Sequence, residues 1–267
     1  MRISHQMLHN QSTQRIQQNM VRMTETFAQA SSGKKSQRPS DAPGETVQSM
    51  KLKHQLADLE QYKKNQGQAE LFLDEVDNKL QSMSGIMQRI NELGIQANND
   101  ALFKGERDII NNELTELTTE LQSIVNFEVN GEALFTKDQP KVIQVAKGTS
   151  LEVTLPVDNA IGDLFTTLAD MKSNLSSNQY IDLDALKAAT DQITDVLAVA
   201  GARKNRLESI QNRLEDTKLE QTKKLSSIEG VDMAEVLTRL KSEEATYQAG
   251  LAATSRLYSA SLVDYLK

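Results

Sequence analysis

AELFLDEVDNKLQSMSGIMQRINELGIQA, residues 69–97, decides the fold, because it repeats apolar residues at alternating steps of four and three. Such a repeat keeps a narrow apolar stripe of one helix against a partner helix, which is the pattern of a coiled-coil seam. The stripe consists of Ala69, Leu73, Val76, Leu80, Met83, Met87, Ile90, Gly94 and Ala97, and Leu52, Leu56 and Leu59 extend it upstream. We therefore predict one continuous helix over residues 45–98, roughly 80 Å long.

Two further regions repeat this spacing. NNDALFKGERD, residues 98–108, interrupts the repeat, and it resumes at Ile110, Leu114, Leu117, Leu121 and Ile124. We predict that this second helix folds back antiparallel on the first. A short helix is predicted from Gly162, and a long helix follows, with near-heptad steps at Ile193, Leu197, Ala200, Leu207, Ile210, Leu214 and Ile228. Aromatic residues make up only 4% of the chain, which favours long, narrow helix seams over a thick globular core.

The period changes between residues 127 and 160. Val142, Ile143 and Val145, and then Leu151, Val153 and Leu155, alternate with other residues around a turn at residues 147–149. Alternation of period two predicts strands, so we expect one β-hairpin here and no other sheet. The predicted fold class is mainly α: an elongated antiparallel helical bundle or coiled coil with a small β-hairpin insert.

The two ends of the chain carry weaker helical stripes. The N-terminal stripe contains Ile3, Met7, Ile16, Met20, Met23 and Phe27, and the C-terminal stripe contains Leu240, Tyr247, Leu251, Leu257, Leu262 and Tyr265. A single narrow stripe does not offset the entropy of ordering a helix, about 1–2 kcal/mol per residue. We expect both ends to be disordered in the monomer and to pair with each other, with neighbouring copies, or with both.

SSGKKSQRPSDAPG, residues 31–44, is predicted to be a stiff, basic elbow between two helices. Gly33 suits the left-handed end of a helix, and Pro39 restricts Arg38 to extended backbone. Ser40 or Asp41 is expected to cap the next helix, whose first turn tolerates Pro43. Residues 230–232 form a second elbow by the same reasoning, although an ordinary helix–helix loop remains the alternative for the first.

Charge and composition exclude several classes of function. The net charge of −7 disfavours nucleic acid as a partner, and the absence of cysteine excludes disulfides and thiolate metal sites. The longest apolar run, residues 196–202, is too short for membrane insertion, and the N-terminus lacks the apolar core of a cleaved signal peptide. Any export is expected to use another route.

We find no constellation of residues with catalytic, metal-binding or cofactor-binding spacing. His5 and His9 are spaced i, i+4, but no third ligand accompanies them, and packing or solvated histidines are the better interpretation, as for His54. SGKKS, residues 32–36, lacks the residues of a phosphate-binding loop, and the acidic run at residues 73–77 lies within the heptad repeat. We predict no enzyme, no metal and no cofactor.

Elbow, long helix and tail together resemble the flagellin superfamily, and within it the hook–filament junction proteins. The resemblance rests on SSGKKSQRPSDAPG, on QGQAELFLDEVDNKLQSMSGIMQRINELGIQANND and on the tail LKSEEATYQAGLAATSRLYSASLVDYLK, and it covers about residues 1–135 and 195–267. Pro39 and Pro43 are closer to the junction proteins than to the alanine-rich elbow of flagellins. NFEVNGEALF, residues 126–135, departs from the usual Asn-Phe-Asn-Gly turn of the family.

The resemblance implies a domain organisation. Residues 1–41 and 232–267 would pair as the inner-tube domain, residues 42–126 and 161–231 would form the surrounding core bundle, and residues 127–160 would be a β insert. The elbow residues Gly33, Arg38, Pro39, Asp41 and Pro43 would set the angle between tube and shell. Arg89, Leu93 and Glu113 match a patch by which flagellin resembles a ligand of an innate immune receptor, and here they are expected to make shell contacts between subunits.

The resemblance also implies partners and a location. The chain would form a homo-oligomeric ring between hook-associated protein 1 and flagellin, after export through the flagellar export apparatus with the help of an export chaperone. It would be secreted without a cleaved signal peptide and reside at the hook–filament junction. The alternatives are a flagellin filament subunit and, in a different class, a soluble helical adaptor or signalling bundle.

Overall fold

Helices occupy most of the structure, a computed structural model that describes residues 2–99, 103–136, 140–156 and 162–265. The helices in these ranges are α1 (Arg2–Ser32), α2 (Pro43–Ala97), α3 (Lys104–Val125), α4 (Gly162–Ser176), α5 (Leu183–Glu229) and α6 (Met233–Tyr265). This order confirms the predicted helical class and the short helix from Gly162, and it has breaks between helices at both predicted elbows.

By packing, the chain divides into two compact units. One contains Met1–Leu56 and Leu219–Lys267, and the other contains Ala57–Lys218. Helices α2 and α5 contribute residues to both. The division predicted from the sequence instead followed the elbows, at residues 41 and 232, and it stays a prediction about the assembled state.

Helices α2 and α5 run antiparallel within the unit Ala57–Lys218. Lys63 pairs with Glu215 at 2.6 Å, Glu70 Oε2 accepts a hydrogen bond from Gln211 at 3.0 Å, and Asn91 donates to Thr190 at 2.9 Å. Partner numbers on α5 fall as those on α2 rise, which requires opposite directions. Every member of the heptad stripe in residues 69–97 is buried in this seam, as predicted.

Helix α3 folds back on α2, as the resumed heptad indicated. Arg89 Nε donates to Glu113 Oε1 at 2.6 Å, and Lys79 Nζ lies 3.8 Å from the centre of the Phe127 ring. The earlier position on α2, Lys79, meets the later partner, Phe127, and the later position, Arg89, meets the earlier partner, Glu113. The two segments are therefore antiparallel. Ile110, Leu114, Leu121 and Ile124 are buried, and α3 also packs against α4.

The β insert contains three two-stranded pairs in its described residues. β4 (Val142–Ala146) and β5 (Thr149–Glu152) form the predicted antiparallel hairpin. β1 (Glu128–Val129) pairs antiparallel with β2 (Glu132–Ala133), and β3 (Phe135–Thr136) pairs parallel with β6 (Leu155–Pro156). The expectation of a single sheet was therefore wrong.

A sequence signal for the β1–β2 turn was present. Asn130 and Gly131 both have positive φ, 56° and 79°, and an Asn-Gly pair is the strongest short signal for a two-residue hairpin turn. The β3–β6 pair gives no comparable signal, because its two strands have two residues each and no turn motif joins them directly.

Helix side chains cap the backbone of the insert. Asn65 Nδ2 donates to the Gln144 carbonyl and Gln66 Nε2 to the Val145 carbonyl, both at 2.8 Å. Between β5 and β6, the Thr154 carbonyl accepts a hydrogen bond from Arg203 Nη1 at 3.1 Å. Strand edges with unpaired carbonyls invite pairing with other chains, so these bonds both fasten the insert and protect its edges.

Candidate assembly surfaces

The terminal helices α1 and α6 pair with each other in antiparallel orientation. Lys34, after α1, bridges to Gly230, before α6, and a Cβ placed on Gly250 would lie 3.7 Å from Ile16 Cγ1. The end of α1 thus lies near the start of α6, and the middle of α1 lies near the middle of α6, so the two helices run in opposite directions. The predicted pairing of the two ends is therefore present within one chain.

This pairing leaves much of the apolar stripe uncovered. Met7, Met20, Phe27 and Leu251 are exposed, whereas Ile16, Met23, Leu240 and Tyr247 are partly buried. Exposed Val21, Met233 and Leu237 add to the same helix pair and were not among the predicted residues. The remaining predicted residues are not among those whose side chains the structure describes: Ile3, Leu257, Leu262 and Tyr265. Contacts of these stripes with other copies remain a prediction.

The first elbow begins as the sequence predicted and ends differently. Gly33 has a φ of +68°, and its N–H donates to the Gln29 carbonyl at 2.9 Å, which closes α1 with a left-handed residue. Helix α2 begins at Pro43, so Ala42 and not Ser40 or Asp41 takes the capping position, and its carbonyl accepts from Thr46. Asp41 instead accepts a hydrogen bond from the Arg38 N–H at 3.0 Å, which fixes the turn around Pro39.

Backbone hydrogen bonds join the two elbows to each other. The Lys35 N–H donates to the Glu229 carbonyl at 2.8 Å, and the Val231 N–H donates to the Gly33 carbonyl at 3.2 Å. A side chain at Gly230 would place its Cβ 2.5 Å from the Ser226 carbonyl oxygen, so only glycine fits without a shift. Sequence reasoning found both elbows but not this bridge, because it joins residues nearly 200 positions apart.

Polar groups from two segments, α2 and the first elbow, surround the Glu229 carboxylate at this bridge. Its carboxylate accepts hydrogen bonds from Lys53 Nζ and Ser49 Oγ on α2, and Lys34 Nζ lies 3.9 Å away. The hydrogen bonds from Lys53 and Ser49, with the charges of Lys53 and Lys34, lower the pKa of this carboxyl below its ordinary value. We call Glu229, Ser49, Lys53 and Lys34 the elbow cluster.

Glu229→Gln should loosen the elbow cluster. The amide lacks the negative charge that attracts the two lysines. Because hydrogen bonds to charged groups contribute about 1.5–3 kcal/mol each, we expect the free energy of local opening to fall by about 2 kcal/mol. Hydrogen–deuterium exchange of peptides within residues 45–56 measures this opening. Glu215→Gln, which breaks an exposed pair with Lys63, is the matched control and should have a smaller effect.

The pH dependence has a defined sign. Folding lowers the pKa of Glu229. Its contribution to the stability of the elbow cluster is therefore complete above the ordinary glutamate pKa of about 4.3, and it is lost as the pH falls through the lower pKa of the folded state. After correction for the intrinsic exchange rate, which itself falls towards acid pH, the protection of residues 45–56 should therefore decrease towards acid pH in the wild type, and Glu229→Gln should lack that component. Identical pH profiles would contradict this role for Glu229.

The residues predicted to make shell contacts lie in two different environments, one exposed and one buried. Arg89 is exposed on α2 and donates to Glu113 at 2.6 Å and to Glu92 at 2.9 Å, and these bonds raise the pKa of its guanidinium. Leu93 is buried in the core of the same unit, so its side chain is covered within the chain. The structure brings Arg89 and Glu113 together, and their contact with other subunits stays a prediction.

Two kinds of site are absent from the described ranges. They contain no group of three or more His, Cys, Asp or Glu residues arranged to hold a metal ion. Within the same ranges, no helix is long and apolar enough to cross a membrane. Of the surfaces described above, the terminal helix pair and the elbow are the candidates for function.

Comparison with known proteins supports the resemblance in the sequence. The family profile of the bacterial flagellin N-terminal helical region matches residues 3–139, and that of the bacterial flagellin C-terminal helical region matches residues 183–266. The flagellin of Bacillus subtilis (strain 168) is 24% identical over an alignment that covers 94% of each chain.

Solved structures share the fold at low sequence identity. A flagellar hook-associated protein from Vibrio parahaemolyticus superposes with a TM-score of 0.61 at 16% identity, covering 71% of this chain and 100% of its own. Flagellar hook associated protein-3 from Legionella pneumophila superposes with a TM-score of 0.60 at 14% identity, covering 66% of this chain and 98% of its own.

Proposed function

This chain belongs to the bacterial flagellin family, and from that premise we propose that it forms the junction layer between hook and filament. It is a structural protein of the flagellum and not an enzyme. The proposed role is that of hook-associated protein 3: a ring of copies that seats on hook-associated protein 1 and receives the first flagellins.

One observation carries the proposal of assembly through the chain ends. Helices α1 and α6 pair within the chain, yet Met20, Phe27 and Leu251 stay exposed on them. Exposed apolar residues concentrated on one helix pair indicate a surface that other protein covers. The elbow with Pro39 and Pro43, and the ending of the tail, favour the junction role over that of a filament subunit.

The proposed mechanism is coupled folding and assembly. The terminal helices order when neighbouring copies bury their stripes, so the entropy of ordering is compensated only in the growing structure. An export chaperone that covers the C-terminal stripe would keep the subunit unassembled, with its ends disordered, before export through the flagellar export apparatus. Polymerisation before export is thereby suppressed.

Limited proteolysis of the purified monomer tests the disordered ends. We expect rapid trimming of about residues 1–40 and 232–267 and a stable fragment that retains the α2–α5 core, because unfolded backbone is cut fastest. Mass spectrometry of the fragments at successive times is the measurement. Uniform resistance at both ends would contradict coupled folding.

Deletion of the gene tests the junction role. A strain without the protein should retain hooks, lack filaments and release unpolymerised flagellin into the medium, and a plasmid copy should restore filaments. Electron microscopy counts hooks and filaments, and immunoblots of the medium detect flagellin. Bare basal bodies, or normal swimming, would overturn the junction assignment.

The flagellin relatives support a second candidate, the filament subunit itself. Purified chain added to sheared filament ends distinguishes the two roles. A filament subunit should extend the ends into long filaments, whereas a junction protein should add no measurable length.

A further inference from the structure

A groove of about 390 Å³ lies beside the elbow cluster, and no part of the proposed function uses it. Its lining includes the cationic Lys34, Arg38 and Lys53, the apolar Pro39, Met50 and Ile228, and the carboxylates of Glu45 and Glu229. All of them belong to the unit that contains the terminal helices. The groove can therefore accept a surface that presents a carboxylate next to apolar atoms.

The cations of the groove are not equally engaged. Lys34 and Lys53 already face Glu229, whereas the Arg38 guanidinium is exposed and forms no ion pair with any residue in the described ranges. Arginine binds carboxylates with two parallel hydrogen bonds and is enriched among the residues that dominate protein interfaces. Among the groove cations, Arg38 is thus the one without an ion pair in the described part of the chain, and it can anchor a partner.

Apolar side chains beside this anchor are also uncovered. Met50 is exposed on α2, and exposed Val47 lies one turn before it. Met50 thus lies in the same groove as an arginine that forms no ion pair within the described ranges, and an exposed apolar side chain beside a charged one is the composition of an interface core with its polar rim.

Charge complementarity identifies a second copy of this chain as the occupant. The chain carries a net charge of −7, while residues 31–44 contain Lys34, Lys35 and Arg38 against the single Asp41. Acidic surfaces are available on each copy: residues 108–125 contain four carboxylates and no lysine or arginine, and Glu116 and Glu120 are exposed. In a closed ring each copy presents one surface to one neighbour and a different surface to the other.

We propose that the elbow groove, anchored by Arg38, binds an acidic surface of the adjacent copy and so links subunits at the elbow as well as through the terminal helices. This inference rests on the proposed function only in requiring that copies assemble side by side. It concerns contacts between shell and elbow regions, and it does not depend on whether the assembled layer is a junction or a filament.

Photo-crosslinking in assembled flagella tests the occupant. Met50 is replaced by p-benzoylphenylalanine in the plasmid-borne protein of the deletion strain, flagella are isolated and irradiated, and products are identified by mass spectrometry. We expect a dimer of this chain with a crosslink to an acidic segment. A crosslink to a different flagellar protein, or none in assembled flagella, would overturn the proposal. If the variant at Met50 does not assemble, the same substitution at Gln37, on the groove wall, replaces it.

Charge reversal tests the anchor. Arg38→Glu should reduce the number of filaments per cell about tenfold, as expected for loss of a dominant interface residue. Lys51→Glu, an equal charge change at an exposed position of α2 that does not line the groove, should leave the number unchanged. Circular dichroism and the amount of secreted subunit verify that both variants fold and are exported. Equal filament numbers in the two variants would reject Arg38 as the anchor. A deletion strain that still forms filaments would instead reject only the junction role.

Discussion

Leu80→Ala is expected to lower the free energy of unfolding by about 3 kcal/mol, within the range of about 2–5 kcal/mol for truncating a buried leucine. Leu80 lies in the middle of the heptad stripe, and its side chain is 1% exposed. The substitution removes apolar contacts and leaves a cavity that the facing helices cannot close, because their backbones are held apart by the neighbouring stripe residues.

Leu71→Ala is the matched control, since it makes the same chemical change on the same helix. Leu71 is 51% exposed, so its truncation should cost less than about 0.5 kcal/mol. Urea unfolding followed by circular dichroism at 222 nm measures both variants. Equal losses of stability would mean that α2 does not present the described face to its partners.

The double variant Met20→Asp/Phe27→Asp is expected to abolish filament formation while leaving the core of the monomer intact. Met20 is 53% exposed and Phe27 is 61% exposed on α1. If neighbouring copies cover these side chains, each aspartate must be desolvated or must prevent the contact, and burying an unpaired charge costs several kcal/mol. The deletion strain carrying this variant should have hooks without filaments.

Val142→Asp is the control for exposed apolar surface in general. Val142 is 54% exposed on the β insert, which belongs to the other compact unit, and we expect its substitution to keep filaments. Electron microscopy of the complemented strains gives filament numbers, and urea unfolding verifies the core of both proteins. Normal filaments in the double variant would refute assembly through α1.

The sequence by itself determined the helical architecture of this protein. The seam from Ala69 to Ala97 has a period that only a helix facing other helices can satisfy, so α2 and its burial followed from local pattern. The ends of α1 and α5, at Gly33 and Gly230, were also readable, since glycine and proline restrict the backbone within a few residues. The resemblance of elbow and tail to the flagellin superfamily was carried by the same segments.

Cap and turn chemistry was only partly readable. Ser40 or Asp41 was predicted to cap α2, but Ala42 takes that position and Asp41 accepts from the Arg38 N–H, because Asp side chains satisfy either role and local sequence does not choose between them. The β1–β2 hairpin had a usable signal in Asn130–Gly131, whereas the β3–β6 pair had none.

Only the tertiary structure decided which distant residues meet. The bridge between the elbows, the convergence of Ser49, Lys53 and Lys34 on Glu229, and the groove beside Arg38 all join segments nearly 200 residues apart or depend on such a join. Periodicity specifies that a face is apolar, but it does not specify the partner or register of that face. Burial of Leu93 next to exposed Arg89 shows the consequence: residues that share a motif acquire different roles once the helices have packed.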